Sequence, residues 1–210
     1  IIKLGAVVVI LPTKFKEQEI HSLVERSDLK CLICDQKYEA WFEEAVRKGV
    51  TMVRIALSEE AFAFDAYKKE GGYPEGGYED VAVMMFTSGT TSQSKGVMLT
   101  NYNFMHAGKV YQEIFHVTSQ DATVIPVPVY TITALSAVIG MFIYTGGTIH
   151  LQRTFHAAQV LACIRDHQLT YMHAAPTVCT FLLEEKENFP ELPSLKRIVC
   201  GGSRMPGRTI

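Results

Sequence analysis

The segment Met84 to Thr100 reads MMFTSGTTSQSKGVMLT and concentrates side chains suited to one kind of chemistry. An apolar run ends at Thr87, and Ser88, Thr90, Thr91, Ser92 and Ser94 follow around Gly89 before a single cation, Lys95. Hydroxyls and successive backbone N–H groups can surround an anion. Gly89 allows the backbone to turn tightly, and the flexible lysine adds a point charge suited to a phosphate tail. A position at the carboxyl end of a buried strand is where open α/β sheets form ligand crevices. The expected role is a phosphate cradle. The Walker A pattern does not fit, because counting from Gly89 puts Ser94 at its second glycine and Gly96 after the lysine. A plain Ser/Thr-rich surface turn is the alternative, and placement between two apolar segments favours the cradle.

Such a loop needs a sheet to hold it, and the chain alternates strand-like with helix-like segments. Ala6 to Leu11 is a short apolar run, and Lys16 to Arg26 carries Ile20, Leu23 and Val24 on one helical face. Cys31 to Cys34 and Thr51 to Ile55 read as strands flanking an amphipathic helix over Lys37 to Lys48. The run EGGYPEGGYED, Glu70 to Asp80, is a turning surface connection before the strand Val81 to Thr87. A helix from Thr100, capped at Thr100 or Asn101, precedes a strand at Ala122 to Val127 and an apolar helix at Ala134 to Tyr144. Strands at Gly147 to Leu151, Leu169 to His173 and Leu195 to Cys200 alternate with helices at His156 to His167 and Pro176 to Glu185, the latter opened by proline. This rhythm predicts an α/β fold, a three-layer, mostly parallel sheet with helices on both faces. No internal repeat of fixed period is evident.

The bulk numbers fit a folded domain: 210 residues, 48% hydrophobic, 20% charged and a net charge of -2. That balance argues against a general nucleic-acid surface and leaves room for a small polyanion such as a nucleotide. The opening IIKLGAVVVILP lacks a starting methionine and a basic leader and is too short to span a bilayer, so the chain is expected to begin inside a longer one, without a transmembrane segment. Its five cysteines, Cys31, Cys34, Cys163, Cys179 and Cys200, read as isolated buried thiols of a reducing cytoplasm. On a strand Cys31 and Cys34 point to opposite faces, which weakens the CxxC spacing as a redox or metal signal.

Other polar and aromatic residues carry less. His106 and His116 lie on an expected helix, while His150, His156, His167 and His173 are dispersed without metal-ligand spacing. Glu184, Glu185 and Glu187 suit a solvated helix end, and Trp41 suits packing. Tyr130, beside Thr131, is the better aromatic candidate for a site.

The run FTSGTTSQSKGVMLTNYN resembles the signature loop of the adenylate-forming superfamily, which includes acyl-CoA synthetases, aryl-CoA ligases, luciferases and peptide-synthetase adenylation domains. Thr87, Ser88, Gly89, Thr90, Thr91, Lys95 and Gly96 match its usual form, while Ser92 replaces a glycine and Ser94 a proline. The resemblance extends through LGAVVVILPTKFKEQEIHSLVERSDLKCLIC, VPVYTITALSAVIGMFIYTGGTIHL, the strand-to-helix proline Pro176 and IVCGGSRMP, in the family's order.

The resemblance implies an ATP-dependent carboxylic acid:CoA ligase. A carboxylate attacks the α-phosphate of Mg2+-bound ATP, pyrophosphate leaves, and a thiol, coenzyme A, then attacks the acyl carbon of the acyl-AMP. It implies that Thr87, Ser88, Gly89, Thr90, Thr91, Ser92 and Lys95 hold phosphates. Gly201, Gly202, Ser203 and Arg204 would line the adenine and acyl-adenylate, and Tyr130 and Thr131 the acyl pocket. The family's Tyr-Gly-x-Thr-Glu segment, ribose-binding aspartate and C-terminal lysine have no match. Residues 1–210 are therefore expected to be a central part of the large N-terminal domain, unable to form thioester alone. Two readings stay open beside the CoA ligase: a nucleotide-binding fragment without turnover, and an adenylation domain serving a carrier protein or peptide synthetase.

Overall fold

The computed structural model describes residues 1–12, 14–55, 75–87, 94–205 and 207. Its contacts divide the chain into two compact units, Ile1–Gly77 with Val81–Leu99, and Tyr78–Asp80 with Thr100–Ile210.

In the first unit, β1 (Val8–Val9) pairs in parallel with β4 (Val81–Thr87), and β5 (Lys95–Thr100) lies on the other side of β4. A separate parallel pair joins β2 (Cys31–Asp35) to β3 (Thr51–Ile55). Helix α1 (Glu17–Arg26) buries Ile20, Leu23 and Val24, the three residues that share one face at helical spacing. Ile20 and Val24 form a core with Leu32 of β2 and Phe42, and Trp41 packs against it as its sequence context suggests. The helix expected over Lys37 to Lys48 is instead a 3-10 segment, Gln36–Phe42, followed by the single turn α2 (Glu43–Arg47). The Asp35 carboxylate accepts the Lys37 N–H at 3.0 Å and starts that tighter coil. Three residues per turn set Tyr38 and Trp41 over one another, ring centroids 5.1 Å apart.

In the second unit, the strands of a four-stranded sheet pair in parallel, in the order β7 (Thr148–His150), β6 (Ala122–Val124), β8 (Tyr171–Ala174), β9 (Arg197–Cys200). Strand β8 is buried at every position, as a parallel strand covered on both faces must be. Its side chains alternate between two cores. Met172 and Ala174 face Val160, Leu161 and Ile164 of α5 (Ala157–Asp166) and Val178 and Leu182 of α6 (Pro176–Glu184), whereas Tyr171 packs with Val138, Met141 and Phe142 on the other side. This unit has the three-layer architecture that the alternation predicts. Among the described residues the strands of the chain form three sheets rather than one, because β2–β3 and β1–β4–β5 share no pairing with the four-stranded sheet.

Helix α3 (Asn101–Phe115) starts at Thr100, whose hydroxyl accepts the Asn103 N–H while the Asn103 side chain accepts the Thr100 N–H. It crosses the following helix at a pair of glycines, since a Cβ on Gly108 would lie 3.2 Å from the Gly140 carbonyl oxygen. The apolar helix expected from Ala134 begins as a π-helix, Thr133–Gly140, and becomes α-helical only in α4 (Met141–Thr145). Gly147 then leads into β7, where a Cβ would come within 2.8 Å of both the Asp121 carbonyl oxygen and the Phe142 ring. Only glycine fits that corner.

Candidate functional site

The two strand ends that flank the expected cradle are in the first unit. Thr87 ends β4 and Lys95 begins β5, and the Thr87 hydroxyl donates to the Lys95 carbonyl at 3.5 Å, so these two residues meet. Ser88, Gly89, Thr90, Thr91 and Ser92 lie outside the described residues. Both Thr87 and Lys95 are exposed.

The residue before Lys95 is anchored. Arg26, the last residue of α1, donates from its guanidinium to the Ser94 carbonyl at 2.6 Å and sits 5.9 Å from the centre of the Phe86 ring. A proline at position 94, the residue the resembling family carries, would offer the same carbonyl acceptor, so serine there preserves this anchor. Gly96 is tied to packing: a Cβ would meet the Met84 sulfur at 3.3 Å and the Phe86 ring at 3.5 Å. Alternate β4 side chains thus lie across the glycine that follows the lysine. The strand β5, which turns Lys95 outward, is absent from the elements that periodicity indicates, because KGVMLT is short and mixes exposed with half-buried residues.

In the second unit the turn expected to line adenine follows β9. Gly201 donates its N–H to the Ala174 carbonyl at 3.1 Å, which fixes the turn to the carboxyl end of β8. Gly202 has φ 90°, a conformation that glycine adopts without strain. Gly202, Ser203 and Arg204 are exposed, and Gly201 is half-buried. Two residues that sequence reasoning set aside approach this turn. His173, 6% exposed, is oriented so that its Nε2 would lie 4.0 Å from a Cβ on Gly201, and burial pushes its pKa down, favouring the neutral ring. Its Nδ1 lies 3.5 Å from the Tyr171 hydroxyl, whose pKa burial pushes far above the usual phenol range. The Cys179 thiol of α6 lies 3.8 Å from that of Cys200, the residue before the turn. The available signal for both was topological: they flank the strand-to-helix and strand-to-turn junctions at the carboxyl ends of β8 and β9.

The expected acyl-pocket pair occupies the turn before the π-helix. Tyr130 and Thr131 are half-buried. The Thr131 hydroxyl donates to the Pro128 carbonyl at 2.8 Å and accepts the Ala134 N–H at 3.3 Å, so it is engaged in starting the helix.

Three expectations need correction. The thiols are not uniformly buried: Cys31 is exposed and the other four are intermediate, because Cys31 lies on the outer face of a two-stranded pair. Nor are they all isolated, given the Cys179–Cys200 contact. The histidines are dispersed only along the sequence, since the rings of His150 and His167 stack at 4.4 Å. Glu184, Glu185 and Glu187 do form a helix end, with Glu185 accepting from the Asn188 side chain at 2.9 Å. A pocket of about 280 Å³ between α1 and the Trp41–Val50 segment contains none of the expected site residues. Its polar rim is occupied by Lys48 pairing with Glu25 and Glu44. Among the described residues no helix is long and apolar enough to cross a membrane.

The chain is similar to curated and structurally known proteins over almost its full length. It is 34% identical to the 2-succinylbenzoate–CoA ligase of Bacillus velezensis over 97% of the chain and 40% of that protein. With the long-chain-fatty-acid–CoA ligase FadD13 of Mycobacterium tuberculosis it shares 27% identity over 97% of the chain and 41% of that protein. The O-succinylbenzoate coenzyme A synthetase (MenE) of Bacillus subtilis in complex with AMP superposes with a TM-score of 0.77 at 27% identity, covering 96% of this chain and 50% of that one. ATP-bound MatB from Rhodopseudomonas palustris gives a TM-score of 0.86 over 99% of this chain and 42% of its own, with 21% identity, which shows a shared fold. The chain thus spans about two fifths of the length of the curated relatives it matches. The sequence profile of the family described as AMP-binding enzyme matches residues 1–210, and the chain belongs to that family.

Proposed function

We propose that this chain supplies the phosphate-holding and adenylate-side surfaces of an ATP-dependent carboxylic acid:CoA ligase. The observation that carries the reading is the meeting of the two strand ends that flank the hydroxyl-rich segment. Thr87 and Lys95 meet there, Arg26 fixes the carbonyl preceding the lysine, and the lysine itself is exposed. An ammonium held at the mouth of a loop of small hydroxyl residues suits the β- and γ-phosphates of ATP. Thr87, Ser88, Gly89, Thr90, Thr91 and Ser92 would supply donors, and Lys95 would offset the charge that grows on departing pyrophosphate. Magnesium enters with the triphosphate as part of the substrate.

Gly201, Gly202, Ser203 and Arg204 would border the adenine and acyl-adenylate, with neutral His173 beneath the turn as a neighbour rather than an acid. Tyr130 and the Thr131 methyl would form part of the acyl wall. A carboxylate oxygen attacks the α-phosphorus and pyrophosphate departs; a coenzyme A thiolate then attacks the acyl carbon and AMP departs. The protein's contribution is alignment and charge stabilisation without a covalent protein intermediate. Coenzyme A is favoured over a carrier-protein thiol because the named relatives are CoA ligases acting on acids as different as 2-succinylbenzoate and long-chain fatty acids.

The test is product analysis. The protein that carries this chain, given ATP, magnesium, coenzyme A and a panel of carboxylic acids including 2-succinylbenzoate, should yield AMP, pyrophosphate and an acyl thioester in equal amounts. Formation of ADP and phosphate without thioester would contradict the reading.

A further inference from the structure

Three side chains that the nucleotide chemistry leaves unused converge in the second unit. His150 ends β7, an outer strand of the four-stranded sheet, and its carbonyl accepts the Ile125 N–H at 3.3 Å. Cys163 lies near the end of α5, and His167 terminates that helix, donating its N–H to the Cys163 carbonyl at 3.1 Å. Residues four apart share a helical face, so the helix presents thiol and imidazole together toward the strand end. One ligand atom from each of His150, Cys163 and His167 lies within 4.8 Å of the others. The two rings are 4.4 Å apart at a tilt of 34°.

Tetrahedral zinc, with Zn–S near ~2.3 Å and Zn–N near ~2.0 Å, needs donor separations of roughly 3.3 to 3.7 Å. Small side-chain rotations therefore close the set, while the backbone of each ligand is already held by secondary structure. Two imidazoles and a thiolate are borderline-soft donors that favour zinc over magnesium or calcium. His150 and Cys163 are half-buried and His167 is exposed, so the group is reachable from solvent.

We propose that His150, Cys163 and His167 form a site for one zinc-class divalent ion, with water as the fourth ligand. Cys163 binds as thiolate, its proton passing to solvent, and both imidazoles bind neutral. The ion ties the end of α5 to the outer strand.

Cobalt(II) serves as a spectroscopic stand-in for zinc. Titration of the 210-residue chain should give a sulfur-to-cobalt charge-transfer band saturating at one equivalent and displaced by zinc. Cys163→Ser should abolish the band, whereas Cys31→Ser and Cys179→Ser should retain it, locating the sulfur among the thiols. His167→Ala, a change at an exposed helix end that leaves the fold intact by circular dichroism, should weaken zinc binding at least ~10-fold in competition with a chromogenic chelator. Absence of a band in the parent chain, its survival in Cys163→Ser, its loss in Cys179→Ser, or unchanged zinc affinity in His167→Ala would each overturn the site.

Discussion

Cys179 and Cys200 meet 3.8 Å apart immediately before Gly201, and their environment governs their reactivity. Burial, then the Cys200 thiol, push the Cys179 pKa upward, so little thiolate is present near neutrality. Cys31 is exposed on its strand. Timed alkylation at pH 7 followed by peptide mass spectrometry should therefore label Cys31 first and Cys179 at least ~10-fold more slowly. Equal rates would show that the Cys179 environment is open. The proposal of an anion site rests on residue types, since Thr87, Gly89 and Lys95 suggest it by their chemistry. His173 and the Cys179–Cys200 pair were not legible in the sequence, because their proximity to Gly201 arises from parallel neighbours brought together by crossovers that no local pattern encodes.

Asp121 shows how one side chain joins elements. It is 6% exposed, and its carboxylate accepts from the Thr170 hydroxyl at 2.6 Å, the Thr118 N–H at 2.8 Å and Arg197 at 3.2 Å, linking the start of β6 to the segments entering β8 and β9. Burial alone would raise its pKa, but the Thr170, Thr118 and Arg197 donors outweigh burial and hold it below the usual carboxylate value. A depressed folded pKa contributes stability that is present above the unfolded value, near ~3.9, and is lost as pH falls through the lower folded value. Asp121→Asn should destabilise the chain by about 2 kcal/mol at pH 7 and lose less stability than the parent on acidification below about pH 4, as read from urea unfolding midpoints. Matching midpoints and matching acid profiles would remove Asp121 from this role. At this scale α1 and β3, and β4 with its end at Thr87, were legible because an apolar face or run sets them locally. The 3-10 and π-helical segments were not, since the same spacing of apolar residues serves a helix of any pitch, and the Asp35 cap in one and the close approach of Gly108 to Gly140 in the other go with the one adopted.

Across the whole chain, the two units each carry their own core, and the more extensive packing surrounds β8, between two helical layers. Amide exchange should be slowest in Tyr171–Ala174 and faster by orders of magnitude in β5, whose first four residues are exposed. Comparable protection in both strands, read by exchange mass spectrometry, would contradict that ranking. The alternation of elements made the α/β class readable, whereas the division into three sheets depends on which strands pair, a long-range choice. The exposed Lys95 joins the fold to the proposed chemistry, because Thr87, Arg26 and Gly96 all act on its position. The direct test is acid-dependent ATP–pyrophosphate exchange, measured in the protein that carries this chain for the parent and Lys95→Ala, with circular dichroism to confirm the fold. Exchange in the parent should require a carboxylic acid and fall about 100-fold in Lys95→Ala; exchange that is absent from the parent, or equal in both proteins, would contradict the role of Lys95.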